Sequence, residues 1–207
     1  MRMPTTETDL RPLHRVAVLR SVEAVDAVRT SDLDRPTPCA DWTLGDLLAH
    51  MTVQHRGFAA AARGHGSDEA LWNVETVADA VRADPVGAYT AAAHDVLDAF
   101  AADGVTEATF ALPEFGPNAT FPGALAIGFH FVDYAVHGWD VAATLGAAYE
   151  LPDDVVAAVL PLVMAIPDGD FRETSASPFD RAVNGSAATD FDKVLLHLGR
   201  RPNWRQL

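Results

Sequence analysis

Residues 123–146 read GALAIGFHFVDYAVHGWDVAATLG, and this stretch decides the fold. Pro122 precedes it and Gly146 ends it, which are the residue types that favour the two ends of a helix. Polar side chains interrupt the apolar sequence at spacings of three, four and three residues, and they lie close to one stripe: His130, Asp133, His137 and Asp140. In a helix bundle, such a stripe can supply ligands to a site shared with a facing helix.

Three further long helices are indicated by apolar periodicity, over about 9–29, 44–64 and 85–104. Shorter helices are predicted near 75–81, 152–167 and 190–198, and the β-like segment ATFAL at 108–112 favours a short hairpin. Alanine is abundant, whereas isoleucine and tyrosine are sparse, which also favours helix. The sequence therefore predicts an all-α four-helix bundle with extra short helices and a short irregular or hairpin connection before the fourth long helix.

The composition suits one domain spanning residues 1–207, since 49% of the 207 residues are apolar. We expect residues 1–8 to be flexible and residues 168–207 to form a C-terminal appendage packed on the bundle. Cys39 is the single cysteine, so an intramolecular disulfide is excluded and a cytoplasmic location is expected. The net charge of −14 argues against nucleic acids and anionic membranes as partners, whereas a homodimer through an apolar helix face stays open.

The second long helix begins with a capping signal, Thr43 followed three residues later by Asp46. Along this helix His50 shares a face with Leu47, Met51, Gln54 and Phe58, and so points inward. A carboxylate and an imidazole four residues apart on the fourth long helix can reach one ion, and an inward histidine on another helix can complete the set.

The candidate metal ligands are thus His50, Asp133 and His137. Two nitrogens and one oxygen suit zinc, nickel, iron or manganese, and three protein ligands leave positions open for water or substrate. From spacing alone, the alternative that these histidines are hydrogen-bonded core residues stays open.

Four segments resemble an actinobacterial family of the DinB-like superfamily, close to the N-terminal domain of mycothiol-dependent maleylpyruvate isomerase. They are TPCADWTLGDLLAHM (37–51), DPVGAYTAAAHDVL (84–97), DYAVHGWDVAATLG (133–146) and DKVLLHLGRRPNW (192–204). The resemblance implies a four-helix bundle that binds a divalent metal, with zinc expected and nickel as the alternative, through His50, Asp133 and His137. Close relatives carry glutamate at the position of Asp133, so a backbone shift, a bridging water or His130 as the third ligand are alternatives.

The resemblance implies a metal-dependent enzyme that uses mycothiol as an isomerase or S-transferase on a small electrophile. A non-catalytic metal-binding protein, related to stress or partner binding, is the alternative, and a bundle that has lost its metal is a third. About 40 residues follow the helix predicted at 152–167. This is too few for the large C-terminal domain of the isomerase itself.

The remaining polar and aromatic residues carry weaker expectations. Asp140 either orients His137 or is solvated, and Gln54 either lines the pocket or bonds within the core. Cys39 is expected to be a buried, inert thiol, because no base is placed beside it by sequence. Trp42 and Trp139 are expected to pack, and surface positions are expected for a further set of histidines: His55, His65, His94 and His197.

Overall fold

The computed structural model describes residues 9–39, 42–173 and 179–205, so the expectation for residues 1–8 lies outside the described residues. The described residues form seven helices and one two-stranded hairpin. The helices are α1 (Arg11–Val25), α2 (Leu44–Ala62), α3 (Glu75–Ala83), α4 (Pro85–Phe100), α5 (Gly123–Leu145), α6 (Asp153–Met164) and α7 (Asp190–His197). The strands β1 (Thr109–Ala111) and β2 (Thr120–Pro122) pair antiparallel. The prediction of an all-α fold with a hairpin before the fourth long helix is confirmed.

Local sequence signals explain where the long helices begin and end. Thr43 and Asp46 form a reciprocal capping box at the start of α2. Asp84 accepts a hydrogen bond from the backbone N–H of Gly87 at 2.9 Å, which caps α4. At the end of α5, Gly146 adopts the left-handed conformation with φ of 69°, which a glycine adopts without a steric cost.

The bundle consists of α1, α2, α4 and α5, with α1 packed mainly on α5 and α2 packed mainly on α4. Because α2 also contacts α5, the inward faces of these two helices meet inside the bundle. The hydroxyl of Tyr134 on α5 donates a hydrogen bond to the backbone carbonyl of Met51 on α2. This contact aligns the two helices at the level of the candidate ligands. No helix among the described residues is long and apolar enough to cross a membrane.

The described part of the C-terminal region packs mainly on α6, and its apolar side chains share one cluster with those of α5. Val194, Leu195 and Leu198 are buried in a cluster with Phe131 and Val132 of α5. This packing supports our proposal that residues 1–207 form one domain, with residues 168–207 as an appendage on the bundle. The same packing brings Arg200, which is distant in sequence, beside Asp140 of α5.

Candidate metal centre

Three side chains converge at a partly exposed site between α2 and α5, which we call the pocket: His50, Asp133 and His137. The Nε2 atom of His137 lies 3.2 Å from Oδ1 of Asp133, and Nε2 of His50 lies 3.9 Å from Oδ2 of the same carboxylate. The side chain of His137 is 4% exposed, whereas those of His50 and Asp133 are 28% and 20% exposed. The group is therefore anchored on a buried histidine and accessible from one side.

The spacing of the donor atoms fits a single divalent ion. Ligands about 2.0–2.2 Å from a tetrahedral ion lie roughly 3.3–3.5 Å apart, and the two distances to the Asp133 carboxylate bracket that value. One ligand atom from each of the three residues can be chosen so that all lie within 4.8 Å of one another. Although aspartate is one methylene shorter than glutamate, Asp133 reaches both histidines.

The charge distribution favours a cation between these side chains. Burial lowers the pKa of His50 to about 4, so its imidazole is neutral and able to ligate. Burial opposes the ionisation of Asp133, but His137 and His50 outweigh it and hold the pKa of Asp133 below its usual value. Burial likewise opposes protonation of His137, yet Asp133 and Asp140 raise its pKa well above the usual value. This pocket therefore attracts positive charge.

Behind the candidate centre, Asp140 orients His137. Oδ2 of Asp140 lies 2.9 Å from Nδ1 of His137, and Asp140 is fully buried, which excludes the solvated alternative. A carboxylate at Nδ1 fixes the ring so that Nε2 faces the pocket, as in many carboxylate–histidine–metal arrangements.

Arg200 completes the buried group that surrounds Asp140. Its Nη2 atom donates to Sγ of Cys39 at 3.1 Å and lies 3.4 Å from Oδ2 of Asp140. Cys39, His137 and Asp140 also have donor atoms close enough to hold an ion. However, the guanidinium of Arg200 already neutralises Asp140 there, and all three residues are buried. The accessible group of His50, Asp133 and His137 is the better candidate.

Trp42 covers one side of the pocket. Its ring centroid lies 4.8 Å from that of His50 and 6.5 Å from that of His137, and the residue is 36% exposed. The sequence predicts Trp42 only as a packing residue at the start of α2. Its place over two candidate ligands could not be deduced from spacing within one helix.

His130, the alternative third ligand, lies elsewhere in the core. Its Nδ1 is 2.8 Å from Nε2 of His14, and its Nε2 is 3.1 Å from Nδ1 of His55. Both ring nitrogens are therefore engaged, and His130 does not join the candidate metal group. The surface position predicted for His55 is wrong, because this residue is fully buried and its ring stacks on Tyr134 at 3.8 Å.

The other polar candidates have mixed outcomes. His65 and His94 are exposed, as predicted. His197 is half-buried instead, because its Nε2 lies 2.8 Å from the backbone carbonyl of Ile166 in the C-terminal packing. Gln54 donates from Nε2 to Oε1 of Glu114 in the hairpin connection. Glu114, Arg200 and His14 were not singled out from sequence, since each meets its partner only through long-range packing.

Comparison with known proteins identifies relatives of this chain. The family model described as mycothiol maleylpyruvate isomerase N-terminal domain matches residues 14–142. The chain is 32% identical over 174 residues to the uncharacterized protein Rv0738 of Mycobacterium tuberculosis, with 84% of this chain and 87% of the relative covered. The uncharacterized protein MT0763, from another strain of the same species, matches with the same identity and coverage.

Solved structures share the fold. A crystal structure of the mycothiol-dependent maleylpyruvate isomerase superposes with a TM-score of 0.58 at 13% identity, covering 79% of this chain and 70% of that one. A mutant of that enzyme gives a TM-score of 0.60 at 13% identity, covering 81% and 71%. The family model spans more than half of the sequence. The chain therefore belongs to the family of the mycothiol maleylpyruvate isomerase N-terminal domain.

Proposed function

We propose that this protein is a divalent-metal-dependent enzyme that uses mycothiol in the isomerisation of a small electrophile or in S-transfer to it. The observation that carries the proposal is the half-open group of His50, Asp133 and His137 in a chain of this family. When bound there, the metal would act as a Lewis acid that lowers the pKa of a thiol or water. Zinc suits the two nitrogens and one oxygen, and nickel is the alternative.

The residues of this chain would hold and shield the site. His50, Asp133 and His137 hold the ion, and Asp140 keeps the Nε2 atom of His137 turned toward it. Trp42 covers the two imidazoles and limits the access of water from its side. Because Asp133 reaches both histidines, the geometry argues against a bundle that has lost its metal.

Metal content is the first test. We expect untagged protein supplied with zinc to retain about one ion per chain, measured by elemental analysis, because three protein ligands suffice for a catalytic zinc site. His50→Ala should weaken zinc affinity by more than about 100-fold, since loss of a ligand should exceed the 10–100-fold cost of losing a supporting residue. His94→Ala, at an exposed position on α4, is the matched control and should leave affinity unchanged.

Turnover is the second test. The zinc protein should accelerate the reaction of mycothiol with members of a panel of small electrophiles, followed by chromatography, and His50→Ala should abolish the acceleration. Failure to bind zinc or nickel would refute the proposed function. Tight metal binding without any turnover across the panel would instead favour the non-catalytic metal-binding protein.

A further inference from the structure

The connection between β1 and β2 contacts both α2 and α5 near the candidate ligands. Glu114 accepts the hydrogen bond from Gln54, which lies one turn beyond His50 on α2. The neighbouring Phe115 stacks on Phe129 with ring centroids 5.1 Å apart. Since Phe129 lies one turn before Asp133 on α5, the connection reaches both helices one turn away from the candidate ligands.

This placement brings a second carboxylate to the rim of the candidate centre. Desolvation raises the pKa of Glu114, and the charge of Asp133 acts in the same direction against the hydrogen bond from Gln54. Gln54 shares a face of α2 with His50, so the Glu114 carboxylate that it binds lies near the candidate ligands. A divalent ion facing Asp133 and an ionised Glu114 gives the pocket a net charge near zero.

The arginine whose charge acts on the candidate metal site is already paired with other groups. Among the described residues, Arg200 is the arginine or lysine whose charge acts on both His50 and Asp133. However, Arg200 is buried behind His137 and bonds Cys39, Asp140 and the backbone carbonyl of Leu198. It cannot turn toward a substrate carboxylate without giving up its ion pair with the buried Asp140.

We propose that Glu114 sets the charge preference of the site, so that neutral or cationic thiols and electrophiles bind in preference to anionic ones. The inference rests on the proposed function, because it requires a metal held by His50, Asp133 and His137. An anionic ligand meets the carboxylate of Glu114, and among the described residues the arginine whose charge acts on this site, Arg200, is already paired with Asp140. Such a like-charge juxtaposition is costly. A ligand with an ammonium, amide or hydroxyl group gains an acceptor in the same place.

The test uses the full chain loaded with cobalt(II), whose visible spectrum changes when a thiol joins the metal. The dissociation constants of cysteamine, 2-mercaptoethanol and 3-mercaptopropionate are measured for wild type and for Glu114→Gln. The dissociation constant of the anionic 3-mercaptopropionate is divided by that of the cationic cysteamine. This ratio should fall about fivefold or more in Glu114→Gln, since one unit charge near the ligand has been removed. Comparing ratios between variants cancels the intrinsic differences among the three thiols.

Glu107→Gln is the matched control. Glu107 is an exposed glutamate that precedes β1, and its carboxylate accepts a hydrogen bond from Thr106. It should leave the ratio unchanged. As a second measurement on wild type, raising the salt concentration should improve binding of 3-mercaptopropionate relative to 2-mercaptoethanol, because screening weakens repulsion at an accessible rim.

The outcomes separate the two proposals. If cobalt fails to bind, the metal site is wrong and both proposals fall. If cobalt and all three thiols bind, but neither the ratio nor its salt dependence responds as stated, the role of Glu114 is overturned while the proposed function stands.

Discussion

At the scale of single residues, His137 is the centre of the candidate site. It lies between Asp133, which faces the pocket, and Asp140, which lies behind it with Arg200. In the proposed site each partner has a different role: Asp133 would share the ion, Asp140 sets the orientation of the ring, and Arg200 neutralises Asp140. Orientation and stability are therefore coupled through one buried carboxylate.

Substitution of Asp140 should separate these two effects. Asp140→Asn leaves Arg200 buried and unpaired, which should cost about 3–5 kcal/mol of unfolding free energy in urea titrations. Zinc affinity should also fall about 10–100-fold, because the ring of His137 loses its anionic partner. In the double variant with Arg200→Met, stability should return largely while zinc affinity stays low. Recovery of both would show that Asp140 does not orient the ligand.

At the scale of elements, α5 carries two candidate ligands and also makes a close contact with the segment that follows it. A Cβ atom added at Gly138, next to His137, would lie 2.7 Å from Cζ of the half-buried Tyr149 ring. At Gly128, on the same helix, the nearest atom outside the helix's own backbone is Cδ1 of Leu10 at 3.9 Å, which is an ordinary contact. The two glycines therefore lie in different surroundings, one tightly packed and one with room for a methyl group.

Alanine substitutions at these two positions form a matched pair. Gly128→Ala should raise the thermal midpoint, since alanine is favoured over glycine in a helix by about 1 kcal/mol. Gly138→Ala should lower it, because forcing a methyl group against Tyr149 costs about 1–3 kcal/mol in a packed core and exceeds the gain in helix propensity. Equal stabilisation by both substitutions, measured by calorimetry, would contradict the close approach of Tyr149.

At the scale of the whole molecule, three buried histidines join three helices of the bundle. His14 of α1, His130 of α5 and His55 of α2 form one hydrogen-bonded chain. Desolvation lowers the pKa of His14 to about 3, and burial together with the neighbouring His14 holds the pKa of His55 and of His130 well below the usual value. All three imidazoles are neutral in the folded protein.

This chain should make the fold sensitive to mild acid. In the unfolded state the three histidines bind protons below about pH 6.5, whereas in the folded state they do not, so their contribution to stability is complete above that pH and is lost as pH falls. Each would cost about 1.4 kcal/mol per pH unit below the unfolded pKa. The raised pKa of His137 acts in the opposite direction, but it is one histidine against three whose pKa is lowered.

Urea titrations between pH 7 and pH 5 in the presence of a chelator would measure the effect. We expect wild-type stability to fall across this window and His14→Gln to fall less steeply, although it starts from a lower value. His94→Gln, at an exposed position, should keep the wild-type slope. A slope that is unchanged in His14→Gln would show that this histidine is not held neutral in the fold.

The sequence by itself determined the elements and part of the site. The capping residues Thr43 and Asp46, the N-cap Asp84 and the terminal Gly146 act on their own helices, so local chemistry is enough to predict where those helices begin and end. The stripe on residues 123–146 and the inward face of α2 also predicted which side chains point toward the interior. That His50, Asp133 and His137 act as ligands stays a prediction until a metal is measured.

Tertiary structure alone decided which interior groups meet. Spacing along one helix defines a face, but it does not say which other helix covers that face or at what height. His130 and His137 share the stripe, yet one joins His14 and His55 while the other joins Asp133 and Asp140. Arg200 reaches Asp140 across 60 residues, and its position follows from the burial of α7 in one apolar cluster with α5 and α6, because desolvated polar groups must find partners wherever packing brings them.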